Sequence, residues 1–323
     1  MCIRDRSATI PVAEDTGNLT IRPNSIVSKI EFDSVTGRAV SVLAKDRVTG
    51  EFLEFNARVF FCNASTVGTT AILLNSRSDS FPNGLGNSSG VLGHNLMDHH
   101  YGMGAGGTID LEEAGNSEEK PVGFYVPRFR NCNRTTERDD YLRGFGYQGS
   151  ADRLDSVSRP YYQKSKRERS NPNSFLIHME CFGEFLPYHE NRMFLNFDKL
   201  DPQGMPTIVF DAKLKDNELR MREDGVQSAI EMLEASGCTN VQSYNIETAP
   251  GACSHEMGTA RMGADPKTSV LNKWNQMHDV PNVFVSDGSC MTSSGTQNPS
   301  LTYMALTARA VDYAHKQIKT RNL

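Results

Sequence analysis

The chain has no CxxC pair. Its seven cysteines, Cys2, Cys62, Cys132, Cys181, Cys238, Cys253 and Cys290, are scattered and odd in number. That spacing excludes a zinc ribbon and a disulfide framework, and leaves reduced thiols as the plain reading. Positive charge is not in excess: 34 Lys and Arg stand against 39 Asp and Glu, a formal net charge of −5. A mildly acidic chain of this kind argues against nucleic acid as the main partner. No apolar run is long enough to cross a bilayer as a helix. Residues 1–6, Met-Cys-Ile-Arg-Asp-Arg, hold no apolar core of a signal peptide. Internal repeats and low-complexity tracts are missing too. So is a GxGxxG turn opening a helix with a distal acid, the usual dinucleotide fingerprint. The 323 residues are enough for two domains, or for one large domain with an insertion.

What is present falls into two compositions. Residues 19–32 alternate in places and predict two strands around a Pro23-Asn24 turn. Residues 39–44 and 52–55 then predict their partners in a small antiparallel meander. Arg58-Val59-Phe60-Phe61-Cys62 is almost wholly apolar, as for a strand buried on both faces. A helix is expected from Thr66 to about Leu74. From Tyr101 to Thr248 apolar runs shorten and Arg, Asn, Tyr and Gly become common. Gly102, Gly104, Gly106 and Gly107 predict a strand with close backbone packing, since no Lys-Ser/Thr or helix follows them. Residues 121–130, 142–148, 174–186 and 192–197 predict strands of an antiparallel sheet. Residues 157–172 predict a solvated loop. Residues 217–236 form the best helix here, with Val226, Ala229, Ile230 and Leu233 on one face and Gly237 ending it.

The densest chemistry lies in residues 251–302. Val280-Pro281-Asn282-Val283-Phe284-Val285-Ser286-Asp287 predicts a short buried strand. Asn298 predicts a helix N-cap with Pro299 at the first helical position. Leu301, Met304, Ala305, Ala308, Val311 and Ile318 then recur at helical spacing. A helix start favours an anion. If the strand brings His255 and Asn298 together, a proton acceptor and a hydrogen-bond donor would sit beside such a start. These are parts suited to oxidising an alcohol.

The stretch His-Glu-Met-Gly-Thr-Ala-Arg-Met-Gly at 255–263, Val-Leu-Asn at 270–272, Val-Pro-Asn-Val-Phe-Val-Ser-Asp-Gly-Ser at 280–289 and Asn-Pro-Ser-Leu-Thr at 298–302 is long and ordered. It resembles the C-terminal signature of the glucose–methanol–choline (GMC) family of flavin oxidoreductases, nearest to bacterial sugar and gluconate dehydrogenase-type members. The resemblance covers nearly all of residues 19–323. It implies FAD as cofactor, and oxidation of an alcohol of a sugar or polyol by hydride transfer to flavin N5. His255 matches the catalytic histidine and Asn298 its histidine-or-asparagine partner. Asp287 and Gly288 match the turn at the FAD diphosphate and ribityl region. Pro299 opens the helix whose start, with Asn298, faces the flavin. Val27 matches the adenine-contacting valine, and Asn63 and Ala64 the turn after the first buried strand. Residues 86–100 match a further family segment, with His94 where arginine is usual.

The resemblance implies an α/β plus α+β chain: a truncated Rossmann-like, GMC-type FAD-binding domain from residues 1–100 and 249–323, and an inserted antiparallel-sheet substrate domain at 101–248. The missing fingerprint predicts that the sequence is a C-terminal portion, inactive alone and unable to keep FAD. Residues 1–6 are expected to be a stray stretch.

Plainer readings stand beside each assignment. Taken alone, His255 would be a buried, hydrogen-bonded histidine. A zincin helix is excluded, because position 259 is Thr where a second His is needed. Asp98-His99-His100 predicts structure rather than a metal site, since adjacent side chains diverge. No metal is therefore expected. Arg261 and Lys267 are expected in surface ion pairs, and Met257, Met262 and Met304 as core filler. Two rival readings remain: a non-catalytic fragment, and a carbohydrate-binding module on residues 101–248. The electron acceptor, the identity of the sugar, and cytoplasm or periplasm as location stay open.

Overall fold

The computed structural model describes residues 9–110, 122–165, 168, 171 and 173–323; residues 1–6, expected to be stray, lie outside them. After a short helix α1 (Ile10–Asp15), strands β1 (Ser25–Asp33), β2 (Arg38–Asp46) and β3 (Phe52–Asn56) form the expected antiparallel meander. Residues 19–22 form no strand. Leu19 and Ile21 are exposed, so no apolar face drives pairing there. Ile30 and Ala39 turn inward to meet Leu73, Val283 and Val285 in the first core.

The two apolar runs pair with each other, but only briefly. β4 (Phe60–Phe61) lies parallel to β12 (Val283–Phe284) in a two-stranded sheet. Burial on both faces is not met at Phe61, which is 37% exposed and stacks on Phe284 at 5.0 Å. Pro281 cannot donate to a ladder, which shortens the second run. Asn282 takes over the missing bonding. Its Oδ1 accepts from Ala39 N (3.0 Å), and its Nδ2 donates to the carbonyls of Ala39 (2.7 Å) and Arg58 (3.0 Å). One buried amide thus fastens the meander to β12. Helix α2 (Ser65–Asn75) follows β4 directly.

The five-stranded sheet has the order β11-β5-β8-β7-β6, from β5 (Met103–Asp110), β6 (Val122–Val126), β7 (Phe145–Arg153), β8 (Ser174–Gly183) and β11 (Thr239–Asn245). All of it falls within the polar half of the sequence. Gly104 shows why that run is glycine-rich: a Cβ there would sit 2.0 Å from the Met179 carbonyl oxygen. Helix α3 (Asp216–Ala235) lays Met221, Ala229 and Leu233 on Met103, Ala105, Tyr147 and Cys181. β9 (Arg192–Leu200) and β10 (Pro206–Asp211) pair apart from this sheet. β11 carries no apolar alternation that would announce it, whereas β10, Pro-Thr-Ile-Val-Phe-Asp, has an apolar run that reads as a strand. β11 is a polar edge strand, Thr-Asn-Val-Gln-Ser-Tyr-Asn. The expected solvated loop at 157–172 lies partly outside the described residues; Tyr162, within it, is buried beside Leu154 and Leu176.

Helix α4 (Ser300–Lys319) forms as expected, but buries a different face. Ala310 and Ala314 pack on Phe284, and Val59 lies against the same cluster. Small residues let the helix axis come close to that ring. Leu301, Met304 and Val311, expected inward, are 72%, 49% and 48% exposed.

Candidate active site

The site is built on a pinned loop. Asp98 is only 1% exposed, and its carboxylate faces backbone donors. Oδ2 accepts from Gly251 N (2.8 Å) and Cys253 N (3.1 Å); Oδ1 accepts from His255 N (3.1 Å) and His99 N (2.8 Å). A two-way backbone bridge between Met97 and Met257, both bonds 2.9 Å, holds the same two segments in register. Burial raises the Asp98 pKa, and the donated N–H groups oppose that rise.

The loop delivers His255 to His99. Their Nδ1 atoms lie 3.0 Å apart, with the rings edge to face. Cys253 Sγ is 3.5 Å from the same Nδ1 of His255. Burial depresses the His99 pKa to about 4, and the nearby His255 adds to that; the Gly295 backbone opposes it weakly. His255 is also held below the ordinary histidine range by burial, with Asp98 pulling the other way. Both rings are therefore neutral at neutral pH, and one donates its Nδ1 proton to the other. Among the described residues no hydrogen bond takes up His255 Nε2. When His255 Nδ1 is the donor of the bond to His99, its free Nε2 carries the lone pair and is a proton acceptor of fixed orientation.

His255 borders a cavity of about 440 Å³ together with Asn63, Thr66, Glu256, Asp287, Gly288, Pro299 and Tyr303. Asn63 Oδ1 accepts from Ser286 N (2.9 Å), tying the end of β4 to the end of β12. Asp287 spends its carboxylate inward, on Thr69 Oγ1 (2.6 Å) and Ser289 N (3.0 Å), and burial raises its pKa. At Gly288 a Cβ would meet Glu256 O and Thr66 Oγ1, each at 2.4 Å. The absent side chain lets that backbone line the cavity. Tyr303 OH is buried there without a hydrogen-bond partner, and burial pushes its phenol pKa up. The start of α4 borders the same cavity, and no side chain caps its first N–H groups.

Val27 and Ala64 line a second cavity, of about 590 Å³. Ala64 is also the N-cap of α2, and Ser65 and Thr66 of the first α2 turn line the first cavity. The two cavities thus flank the start of one helix. Asn298 lines neither. Its expected capping role is not met: Pro299 occupies the N-cap position, and Asn298 Oδ1 accepts from Gln148 Nε2 of β7. The remaining expectations divide. Met257 is buried core, whereas Met304 is half exposed beside the cavity. Among the described residues Arg261 and Lys267 make no ion pair, and Arg261 Nε is buried. His94 stacks on His189 at 4.1 Å and bonds its carbonyl.

Asp98, His99, Cys253, Gln148 and Tyr303 were not read as site residues. The Asp98-His99 pair was visible in the sequence. Its links to Gly251, Cys253 and His255, more than 150 positions away, were not.

Residues 187–307 match the family model described as GMC oxidoreductase. The chain is 32% identical over 293 residues to 2-methyl-1,2-propanediol dehydrogenase of Mycolicibacterium austroafricanum, covering 87% of this chain and 52% of that protein. It is 27% identical over 304 residues to the fructose dehydrogenase large subunit of Gluconobacter japonicus, covering 93% and 54%. The chain spans about half the length of the curated relatives it matches. A solved formate oxidase from Aspergillus oryzae RIB40, carrying a substitution studied for its effect on FAD modification, has the same fold, with a TM-score of 0.66 at 14% identity over 95% of this chain and 63% of that one. The motif at residues 255–302, the matched family model and these relatives agree: residues 187–307 carry the C-terminal domain of the GMC oxidoreductase family.

Proposed function

We propose that this chain is part of an FAD-dependent oxidoreductase that oxidises a hydroxyl group of a sugar or polyol. The observation that carries the reading is His255: a neutral imidazole, oriented by Asp98 and His99, on the wall of a cavity that the Asp287-Gly288 turn and the start of α4 complete. The residues present suit a flavin dinucleotide. Gly288 leaves room for close approach, Tyr303 OH lacks a partner, and Asn63, Asp287 and Pro299 complete that wall. Val27 and Ala64 would hold the other end.

FAD, when bound, supplies the hydride acceptor. His255 Nε2 takes the proton of the substrate hydroxyl, so that charge builds on oxygen as the C–H bond weakens. Asp98 keeps the loop, and His99 the ring, from turning away. Asn298 adjoins Pro299 of the cavity wall without lining the cavity itself; its amide oxygen is occupied by Gln148, and its Nδ2 hydrogens would be the donors towards a substrate oxygen. In this reading residues 1–100 and 249–323 hold the cofactor, and residues 101–248 bound the substrate.

The test is to reconstitute the gene product with FAD and add sugars and vicinal diols without oxygen. Bleaching of the flavin by at least one member is expected. A flavoprotein that binds substrate analogues yet is bleached by none would overturn the reading.

A further inference from the structure

We propose that His99, Cys253 and His255 form a binding site for one late transition-metal dication of the Zn²⁺ type, and that filling it switches the oxidoreductase site off. The three ligand atoms, His99 Nδ1, Cys253 Sγ and His255 Nδ1, all lie within 4.8 Å of one another. Two of the separations are 3.0 Å between the imidazole nitrogens and 3.5 Å from Sγ to His255 Nδ1. A tetrahedral ion with M–N near 2.0 Å and M–S near 2.3 Å needs about 3.3 and about 3.6 Å. On these two separations the rings have to part by only a few tenths of an ångström; His99 Nδ1 and Cys253 Sγ, within 4.8 Å of each other, have to settle at about 3.6 Å as well.

The site is preorganised. Cys253 and His255 come from a loop whose backbone N–H groups are both fixed by Asp98, and His99 is the residue after that aspartate. His99 is 2% exposed, so its ring has little room to leave. Two imidazoles and one thiolate favour Zn²⁺, Co²⁺ or Cu²⁺ and discriminate against Mg²⁺ and Ca²⁺, which want oxygen. Binding is a proton exchange: the Cys253 thiol loses H⁺, its sulfur bonds the metal, and each imidazole gives the Nδ1 lone pair as an Nε2–H tautomer. The Nδ1–H···Nδ1 hydrogen bond between the rings is lost. His255 Nε2 then carries a hydrogen and cannot accept another. That inhibitory consequence rests on His255 being the base; the metal site itself does not.

Co²⁺ is the probe, added to the full protein as isolated and stripped with a chelator. One equivalent should bind, with a thiolate-to-cobalt charge-transfer band and tetrahedral d–d bands. Zn²⁺ should displace it and Mg²⁺ should not. Cys253→Ser should abolish the charge-transfer band and weaken binding at least about tenfold, the lower end of what even an outer partner is worth. His99→Gln should weaken it similarly. Cys132→Ser, at an exposed cysteine far along the sequence, should leave the band intact. A wild-type protein without the band, or a band that survives Cys253→Ser, overturns the site. Should Cys253→Ser fail to fold, alkylation of the wild type decides: Zn²⁺ must protect Cys253, and equal labelling overturns the proposal. In the FAD-loaded enzyme, metal that fills the site should stop flavin bleaching. If it fills the site and bleaching continues, the site stands and His255 is not the base.

Discussion

Asp98 Oδ1 accepts the backbone N–H of His255 at 3.1 Å, across 157 positions of sequence. The same carboxylate takes three further backbone N–H groups, from His99, Gly251 and Cys253. A buried charge is costly unless hydrogen bonds satisfy it, and here four donors do so. The result is a loop whose geometry is set by one side chain outside it. The imidazole that the loop carries inherits that geometry.

Asp98→Asn tests this directly. Asparagine has nearly the same shape, but one of its two acceptor positions becomes an NH₂ group. It can still accept from one pair of backbone donors, while the other pair meets a donor. Each buried N–H left unpaired costs about 1–3 kcal/mol. Urea unfolding should show a loss of roughly 2–6 kcal/mol on that basis. A change under about 0.5 kcal/mol, the range of ordinary surface substitutions, would mean the loop is held by something else.

Asn298→Ala separates two readings of one residue. As a helix N-cap it would be worth about 1 kcal/mol. In the structure Pro299 occupies the N-cap position of α4 without capping it, and Asn298 bonds Gln148 from an exposed position. The substitution should therefore leave the unfolding free energy within about 0.5 kcal/mol of wild type. Gln148→Ala should be equally mild. Loss of a full capping energy would place the side chain back on the helix.

Local pattern made α2, α3, α4, the meander and the glycine-rich strand legible, because each has its own periodicity, turn or cap. The GMC motif made His255, Asp287 and Gly288 legible as a group. The α4 face was misjudged for a physical reason. Leu301, Met304 and Val311 form the more apolar stripe, yet the helix packs through Ala310 and Ala314, which allow close approach to Phe284. β11 was missed because an edge strand needs no apolar alternation. His99 and Cys253 were missed because their meaning is a distance of a few ångströms, and adjacency in sequence argued against it. The Asn282 clasp is similar: its three bonds reach both the meander and the β4 approach, and only the fold shows that.

Stability should fall on acidification in a defined window. His99 and His100 have folded pKa values of about 4 and about 3, both depressed chiefly by burial; Arg222 adds to the effect at His100. In the unfolded chain both titrate near 6.5. Between these values the unfolded state binds more protons, so stability is fully present above pH ~6.5 and is lost as pH drops towards ~4 and then ~3. Each histidine adds a slope of up to about 1.4 kcal/mol per pH unit. Neither ring nitrogen of His100 has a well-formed hydrogen bond, so His100→Phe removes a group that only acid exploits. Urea midpoints measured from pH 8 to pH 4 should fall less steeply in that variant. An unchanged slope would mean that His100 does not titrate on unfolding.

The last prediction concerns the proton. An alcohol O–H is a very weak acid, so hydride leaves its carbon slowly until that proton is moving. His255→Ala, in the FAD-loaded enzyme, should slow flavin reduction by roughly 10² to 10⁴, the usual worth of a positioned general base. His99→Gln should cost less, because an amide can still meet His255 Nδ1 and hold the ring. It acts through orientation and not on the substrate. Its signature is in the pH profile. In wild type the acid limb of the reduction rate should lie below pH ~6.5, because burial holds His255 below its ordinary range. The variant should shift that limb while keeping a single ionisation. Stopped-flow reduction with substrate deuterated at the reacting carbon reads both effects. If His255→Ala stays within about twofold of wild type, well short of the general-base range, the imidazole is structural and the proton leaves by another route.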